Sequence, residues 1–447
     1  VSDLKRQLTL FDATMINVGT MIASAIFIVP ASIAAGLQTS VLTVGVWILG
    51  GLVSLLGALC VAELGAAYPR AGGQFVYLRE AYGPLWGFLY GWAAALVVNP
   101  ASIAAIAVGF ATYLGFFVPL SGFAIQVVAA ASILVLTGLN VVGVPPGVLT
   151  QNVLTSLKIA ALLAIVALGL TLPGGEVANL TATASDRSLA ALAGPLGVAM
   201  VAVLWAYDGW IEITYVGGEV VAPERNLPRS IVLSTAVVMA LYTLANVAYV
   251  YVLAPAKMAA SPLVASTAAE VVIGPAGAAL VAGAILVSTL GANNGIVLTS
   301  ARIPYAMARD GLFFSWTARV DPRFRTPALA LIAQGVLSAA LALTGTYEEL
   351  ITYVVFTSWI FYAMSCGAVL RLRRSAPAVP RPYRAWGYPL TPLLFIAFSL
   401  WLVGATILES PQESAIGAGI VIAGIPAYWF WKRRAARGDA PPAPRSG

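Results

Sequence analysis

Apolar runs, each long enough to cross a bilayer, follow one another along nearly the whole chain. A hydrocarbon core is spanned by about 20 apolar residues in a helix. Glycine, proline and clustered charge divide the sequence into twelve such runs, at 13–36, 41–67, 84–117, 123–143, 149–172, 189–217, 229–254, 275–304, 326–345, 348–371, 389–408 and 412–431. In lipid every backbone polar group must be satisfied internally, so runs of this length are expected to be helices. Of 447 residues, 60% are hydrophobic and 9% charged, and the mean hydropathy is +0.90. Soluble domains carry roughly 25% charged residues. The expected fold class is therefore an all-α integral membrane protein with twelve transmembrane helices, in contact with the lipid bilayer.

The charges give an orientation, because cytoplasmic loops retain Lys and Arg. With the N-terminal Lys5 and Arg6 inside, all but three of the 24 basic residues fall on the cytoplasmic side; Arg187 and Lys257 lie outside and Lys158 lies within a span. The opposite loops collect acids, among them Glu176, Asp186, Glu270 and Glu409. Both termini are thus expected in the cytoplasm and the chain in the plasma membrane. The sequence pI of about 9.3 then reflects topology and anionic lipid, with no nucleic-acid partner. Cys60 and Cys366 fall inside spans, so no extracellular disulfide is expected. No cleavable leader is expected, since the first run is too long for one. The tail 438–447, with Pro441, Pro442 and Pro444, is expected to be disordered.

Two runs are interrupted. The first passes through Gly19-Thr20-Met21-Ile22-Ala23-Ser24-Ala25, the second through Trp205-Ala206-Tyr207-Asp208-Gly209-Trp210. Spans one to five and six to ten each open on such a segment, and five being odd, the second set starts from the opposite side of the membrane. This is an inverted repeat: 1–172 and 173–374 form its halves, and 375–437 holds the last two spans. Non-helical backbone at membrane depth survives only where it lines a cavity or is buried in protein. The short side chains of Ala23, Ser24 and Ala25 let a ligand approach N–H groups suited to a carboxylate. Carbonyls freed around Trp205 to Asp208 suit an ammonium group, so the two breaks together read as a receptor for a zwitterion. The alternative for Ala-Ser-Ala is a small-residue helix contact.

The first segment, continued by Ile26-Phe27-Ile28-Val29-Pro30, resembles the first helix of the amino acid-polyamine-organocation (APC) superfamily. Leu204-Trp205-Ala206-Tyr207-Asp208-Gly209-Trp210, followed by Gly218-Glu219 and Pro223-Glu224-Arg225-Asn226-Leu227-Pro228-Arg229, is similar to the sixth helix and following loop of the L-type amino acid transporters. Tyr68-Pro69-Arg70-Ala71-Gly72-Gly73, Gly291-Ala292-Asn293-Asn294-Gly295 and Arg309-Asp310-Gly311 extend the likeness over spans one to ten. The resemblance implies a LeuT-like fold in which spans 1, 2, 6 and 7 move against a scaffold. It implies N–H groups of Ser24 and Ala25 on the substrate carboxylate, and carbonyls of Met21, Trp205 and Asp208 on the amine. Met21, Ile22, Ala23, Ser24, Ala25, Trp205, Ala206, Tyr207, Asp208 and Asn294 are then the candidate substrate residues, with Trp205 as the gate. The family's Gly-Ser-Gly is here Ala23-Ser24-Ala25, a polar position is Ile211, and Val118 to Gly122 lacks the cysteine that animal relatives use to bond a heavy subunit. A differently shaped cavity and a subunit working without that partner are expected.

Ionisable residues inside a membrane are functional-site candidates by default. Lys158, in the resembled family, stands where a sodium ion would, against the first helix; the alternative is a lysine snorkelling to the interface. Asp208 is read as a cap at the second break or as a ligand for a cationic substrate. Glu212 faces either a cavity or a hydrogen-bond partner. Glu63 and Glu219 are candidates to pair with arginines such as Arg302. Asn293 and Asn294 serve substrate or hold helices together, and Tyr113 and Tyr353 are further pocket candidates. Histidine is absent from the sequence, and no metal-ligand cluster, nucleophile–base pair or nucleotide-binding pattern is found, so no cofactor, no metal and no enzymatic activity are expected. The expected function is sodium-independent exchange of neutral L-amino acids. The alternatives are a proton-coupled symporter, an amine or polyamine carrier, and an amino acid sensor on a transporter scaffold.

Overall fold

A computed structural model describes residues 4–184, 188–261, 263–344 and 347–436; the tail 438–447 and the side chain of Tyr353 lie outside them. Thr9 starts the first helix by a reciprocal cap: its hydroxyl accepts from the Asp12 amide at 3.2 Å and its own amide donates to the Asp12 carboxylate at 2.9 Å. Helix α1 (Leu10–Met21) then breaks at residues 22–24, and α2 (Ala25–Leu37) continues at 40° to it, ending on left-handed Gln38. A long α3 (Ser40–Ala67) follows, then the short α4 (Gln74–Tyr82). The third span is α5 (Pro84–Ala93) and α6 (Asn99–Leu114), joined through a π-turn at Ala94–Val98. Next come α7 (Gly122–Val141), α8 (Val144–Thr171) and α9 (Leu189–Ala206).

Beyond α9 the chain takes 3₁₀ turns at Glu212–Tyr215 and Gly217–Glu219 before α10 (Pro223–Val252). The expected second half of the sixth span is therefore no α-helix. The β-branched run Ile211, Ile213, Thr214 and Val216, ending on Gly217-Gly218, is poor in helix formers. The short α11 (Pro255–Ala259) and α12 (Val264–Ile273) lead to α13 (Pro275–Ser300), which α14 (Arg302–Arg309) prolongs. The remaining helices are α15 (Ala328–Thr344), α16 (Tyr347–Ser375), α17 (Leu390–Glu409) and α18 (Pro411–Ala436). No strand occurs among the described residues.

Eight of these helical segments are long and apolar enough to cross a membrane, and the bent α1–α2 pair makes a ninth. The sequence boundaries shift by more than a residue where proline opens a helix. Span five begins at Val144 with Pro145 and Pro146 in its first turn, and span seven begins at Pro223. A first-turn amide has no intrahelical acceptor, so proline is tolerated there. Lys158 consequently sits near the middle of α8.

Helix α10 packs on both α1 and α3, and α9 packs on α2 and α3, forming one bundle. A second group comprises α6, α7, α13 and α15, and α8 touches both through α1, α10 and α13. In α3 and in α5–α6, 61% of the apolar window is buried, against 28% in α7 and α18, so the former are interior and the latter peripheral. Exposed Leu134, Val135 and Phe430 belong to the peripheral helices, as expected of a surface that meets lipid.

Candidate functional site

The two interruptions meet, and side chains from neighbouring helices satisfy the backbone they release. Ile22 turns extended (φ −79°, ψ 95°), which ends α1 and leaves the first-turn amides of α2 pointing at the gap. The buried Tyr242 hydroxyl of α10 lies 2.8 Å from the carbonyl of Met21 and 3.2 Å from that of Ala206, bridging both helix ends. Asn17 donates to the Trp210 carbonyl at 2.8 Å and accepts from the Ile213 amide at 2.9 Å. The Thr20 hydroxyl lies 3.2 Å from the Gly209 carbonyl. Gly209 has φ +112°, and a Cβ there would stand 3.0 Å from the Met21 nitrogen, so glycine is required by conformation and by space together.

Lys158 completes the seam. The residue is 1% exposed, and its ammonium donates to the carbonyls of Gly19 (2.8 Å), Ile22 (2.7 Å) and Ser288 (2.8 Å). All three of its protons are thus spent on backbone oxygens, two at the first break and one on α13, and the snorkelling alternative is excluded. The Ser288 hydroxyl adds contacts to the carbonyls of Ile22 and Ala23. A Cβ at Gly291 would lie 3.0 Å from Lys158 Nζ, so the small residue there makes room for the ammonium.

Between the breaks, α5–α6, α13 and α16 lies a cavity of about 60 Å³. Its wall includes Met21, Ala23 and Ala25 from the first segment and Trp205, Ala206 and Asp208 from the second. Ile22, Ser24 and Tyr207 are buried in the seam and off the wall; the Tyr207 hydroxyl donates to the Trp47 carbonyl of α3 at 3.0 Å. The Met21 carbonyl, expected at the amine, already receives the Tyr242 hydroxyl. Asn294, expected at the substrate, is off the wall as well: it donates to Gln151 (2.9 Å) and to the Gly147 carbonyl (3.1 Å), and accepts from Asn140 (2.9 Å). Its amide holds α13 to α7 and α8, the helix-joining role the sequence left open. Tyr113 is not on the wall either.

The wall also carries groups that sequence reading did not assemble. Tyr90 of α5 donates to the Tyr215 hydroxyl at 2.8 Å, and Gln74, Asn99 and Ser102 add polar atoms. Asp208 accepts from the Tyr362 hydroxyl of α16 at 2.6 Å and from the adjacent Gly209 amide at 2.9 Å. Its carboxylate therefore closes the turn at the break, where no α-helical N-terminus follows. Glu212 both lines the cavity and meets Thr299 of α13 at 2.5 Å. Two carboxyl groups and no lysine or arginine face this space among the described residues.

Away from the cavity, ion pairs join the helix ends. Arg302 pairs with Glu219 through Nε (2.8 Å) and Nη2 (3.1 Å), each side chain 1% exposed. Arg373 pairs with Glu63 in the same two-pronged way, at 2.8 and 2.6 Å, and the Ala385 amide donates to the same carboxylate at 2.7 Å. Arg79 bonds to Asp310 between α4 and the end of α14. Cys60 and Cys366 are buried and free.

The family model for amino acid permeases matches residues 8–430, which takes in both breaks and every wall residue of the cavity. The chain belongs to the amino acid permease family. This permease is 33% identical over 436 residues to the serine/threonine exchanger SteT of Bacillus subtilis (strain 168), covering 97% of this chain and 98% of that relative. It is 32% identical over 416 residues to the b(0,+)-type amino acid transporter 1 of Homo sapiens, covering 92% and 84% of the two chains. To the large neutral amino acids transporter small subunit 2 of Homo sapiens it is 33% identical over 442 residues, covering 96% and 82%. The permease is thus a multi-pass membrane protein of the APC superfamily with an exchanger and amino acid transporters among its relatives. Tyr242 and Ser288, which staple its breaks, carried no signal in the sequence beyond polarity within apolar runs.

Proposed function

We propose that this permease is a sodium-independent exchanger of small neutral L-amino acids that works by alternating access and is not an enzyme. The observation that carries the reading is the meeting of two interrupted helices on one cavity. The first-turn amides of α2 give that cavity an end suited to a carboxylate. The C-terminal carbonyls of α9, with Asp208 beside them, suit an ammonium group. A cavity of about 60 Å³ is in keeping with a small substrate. The naming of one relative as a serine/threonine exchanger agrees with that size.

Sodium independence rests on Lys158, whose ammonium holds three carbonyl oxygens of the kind a bound cation would need. The bundle of α1–α2, α3, α9 and α10 beside a group built on α6, α7, α13 and α15 fits the LeuT-like arrangement of twelve spans in an inverted repeat, 1–172 against 173–374. The termini are read as cytoplasmic from the basic residues gathered at one end. The buried cysteines and the cysteine-free 118–122 connection favour a subunit that needs no disulfide-linked partner.

Trp205 is the proposed gate, and Met21, Ala23, Ala25, Ala206 and Asp208 the proposed substrate contacts, with Ile22, Ser24 and Tyr207 fixing the backbone that presents them. The test is counterflow of labelled L-serine and L-alanine in proteoliposomes, with sodium or choline outside. Uptake that needs internal amino acid and ignores sodium is expected. Uptake into empty vesicles driven by sodium would overturn the reading, and binding without uptake would make the protein a sensor.

A further inference from the structure

The Glu212 carboxyl is not used by the exchange mechanism above, yet it faces the same cavity. It is 7% exposed, and it stands one turn past Asp208 on the cavity wall. Asp208 has two donors, Tyr362 and Gly209. Glu212 has one, the Thr299 hydroxyl at Oε2, and among the described residues nothing donates to Oε1.

Thr299 has a single hydroxyl proton and three acceptors within reach: Glu212 Oε2 at 2.5 Å, the Gly295 carbonyl at 3.0 Å and the Ile296 carbonyl at 3.3 Å. An ionised Glu212 takes that proton. A protonated Glu212 instead donates to Thr299 Oγ1, which frees the threonine proton for Gly295. Both forms of the carboxyl therefore keep a complete set of bonds around Thr299, and the pair can gain or lose one proton without repacking.

The surroundings decide which form fits a closed cavity. Its own segment presents Asp208 and Tyr215, α5 presents Tyr90, α16 presents Tyr362 and α13 presents Thr299. From α1 come Asn17 and Thr20, and from α10 Ser234, none of them ionisable. The buried cations are already committed: Lys158 to three carbonyls, Arg302 to Glu219. A zwitterionic substrate brings one charge of each sign and leaves the excess negative charge of the wall unmet. A buried carboxylate without a cation is costly, and neutralising it with a proton removes that cost.

We propose that Glu212 is a proton-binding residue of the cavity, and that the state closed over a neutral amino acid is the one in which this carboxyl is protonated. The proposal rests on the exchange reading. The proton comes from water in the open state, sits on a Glu212 oxygen through closure, and returns to water on opening; no bond to the substrate is made. Because both half-cycles close with the proton in place, strict exchange moves no net protons, while its rate follows the protonated fraction.

The experiment is L-serine counterflow with pH held equal on both sides, from about pH 5 to about pH 9. The wild-type rate is expected to fall by about tenfold per pH unit on the alkaline limb. Glu212→Gln, a fixed mimic of the protonated form, is expected to give a flat profile whatever its absolute rate. Thr299→Ala removes the donor that favours the ionised form, so its midpoint is expected at higher pH than the wild type's; this arm decides the matter if the glutamine variant does not fold. A flat wild-type profile, or a Glu212→Gln profile equal to the wild type's, overturns the proposal while leaving exchange intact. A flat profile with preference for a short diamino acid, lost in Glu212→Gln, would assign the carboxylate to a cationic side chain and also overturns it. Absence of serine and alanine counterflow at every pH would instead overturn the exchange reading.

Discussion

Replacing Lys158 by methionine removes an ammonium while keeping most of the aliphatic stem that packs inside α8, α13 and the first break. Three charge-assisted hydrogen bonds disappear together, those to Gly19, Ile22 and Ser288. Each is worth about 1.5–3 kcal/mol, and loss of the ammonium's own burial cost offsets part of the sum. What remains is set by carbonyls left without a donor inside the membrane. The expected net loss is about 3–5 kcal/mol, the range for stripping a buried ionic group from its partners. At about 1.4 kcal/mol per tenfold, the ordered break becomes less populated by roughly two to three and a half powers of ten. Thermal unfolding in detergent, followed by intrinsic tryptophan fluorescence, is expected to show a lowered midpoint, and L-serine counterflow a rate reduced at least tenfold. Sodium is expected to restore part of the variant's thermal stability by reaching the same oxygens, and to leave the wild type unchanged. A Lys158→Met protein that melts and exchanges like the wild type would refute the reasoning, as would wild-type uptake stimulated by sodium.

Trp205→Ala is expected to slow counterflow at least tenfold with an unchanged melting midpoint; equal rates would remove Trp205 from the gate. Gly209→Ala must hold an alanine at φ +112° with its Cβ 3.0 Å from the Met21 nitrogen, and is expected to lose about 1–3 kcal/mol in denaturant titration, an expectation that a wild-type midpoint would contradict. Asn294→Leu abandons the amide bonds to Gln151, Gly147 and Asn140, so about 1–3 kcal/mol of stability should go while the KM for serine stays within about twofold; a raised KM with normal stability would return Asn294 to the substrate site.

Most of the spans were legible because hydrocarbon thickness fixes their length, and the breaks because Gly19, Gly209 and the small residues around Ser24 interrupt otherwise apolar runs. Rotation of each helix about its axis was not. An apolar helix in lipid has no polar face to orient it, so Asn294 looked equally able to face a cavity or a neighbour, and Tyr90 and Tyr362 were not singled out at all. The placement of Glu212 depended on Thr299, 87 residues away in sequence, and no local pattern couples the two. Lys158 was the opposite case: a lone charge in mid-span marked it as a functional candidate, and the family resemblance, not its depth, pointed it to the first break. The turns after Ala206 were missed as 3₁₀ because apolar content sets burial and says little about the pitch of the backbone.

Tyr242 has one hydroxyl proton and two carbonyls, Met21 and Ala206, within reach of it. Whichever carbonyl holds the proton, the other stays beside the same oxygen atom, so the ends of α1 and α9 are yoked to a common point on α10. A displacement of either end alone would pull a backbone oxygen away from its shared neighbour in a place where water is scarce. The yoke is made of main-chain atoms and a tyrosine that does not line the cavity. Residues on the wall can therefore change identity, and with them the side chains admitted, while the joint movement of the two half-helices is inherited unaltered.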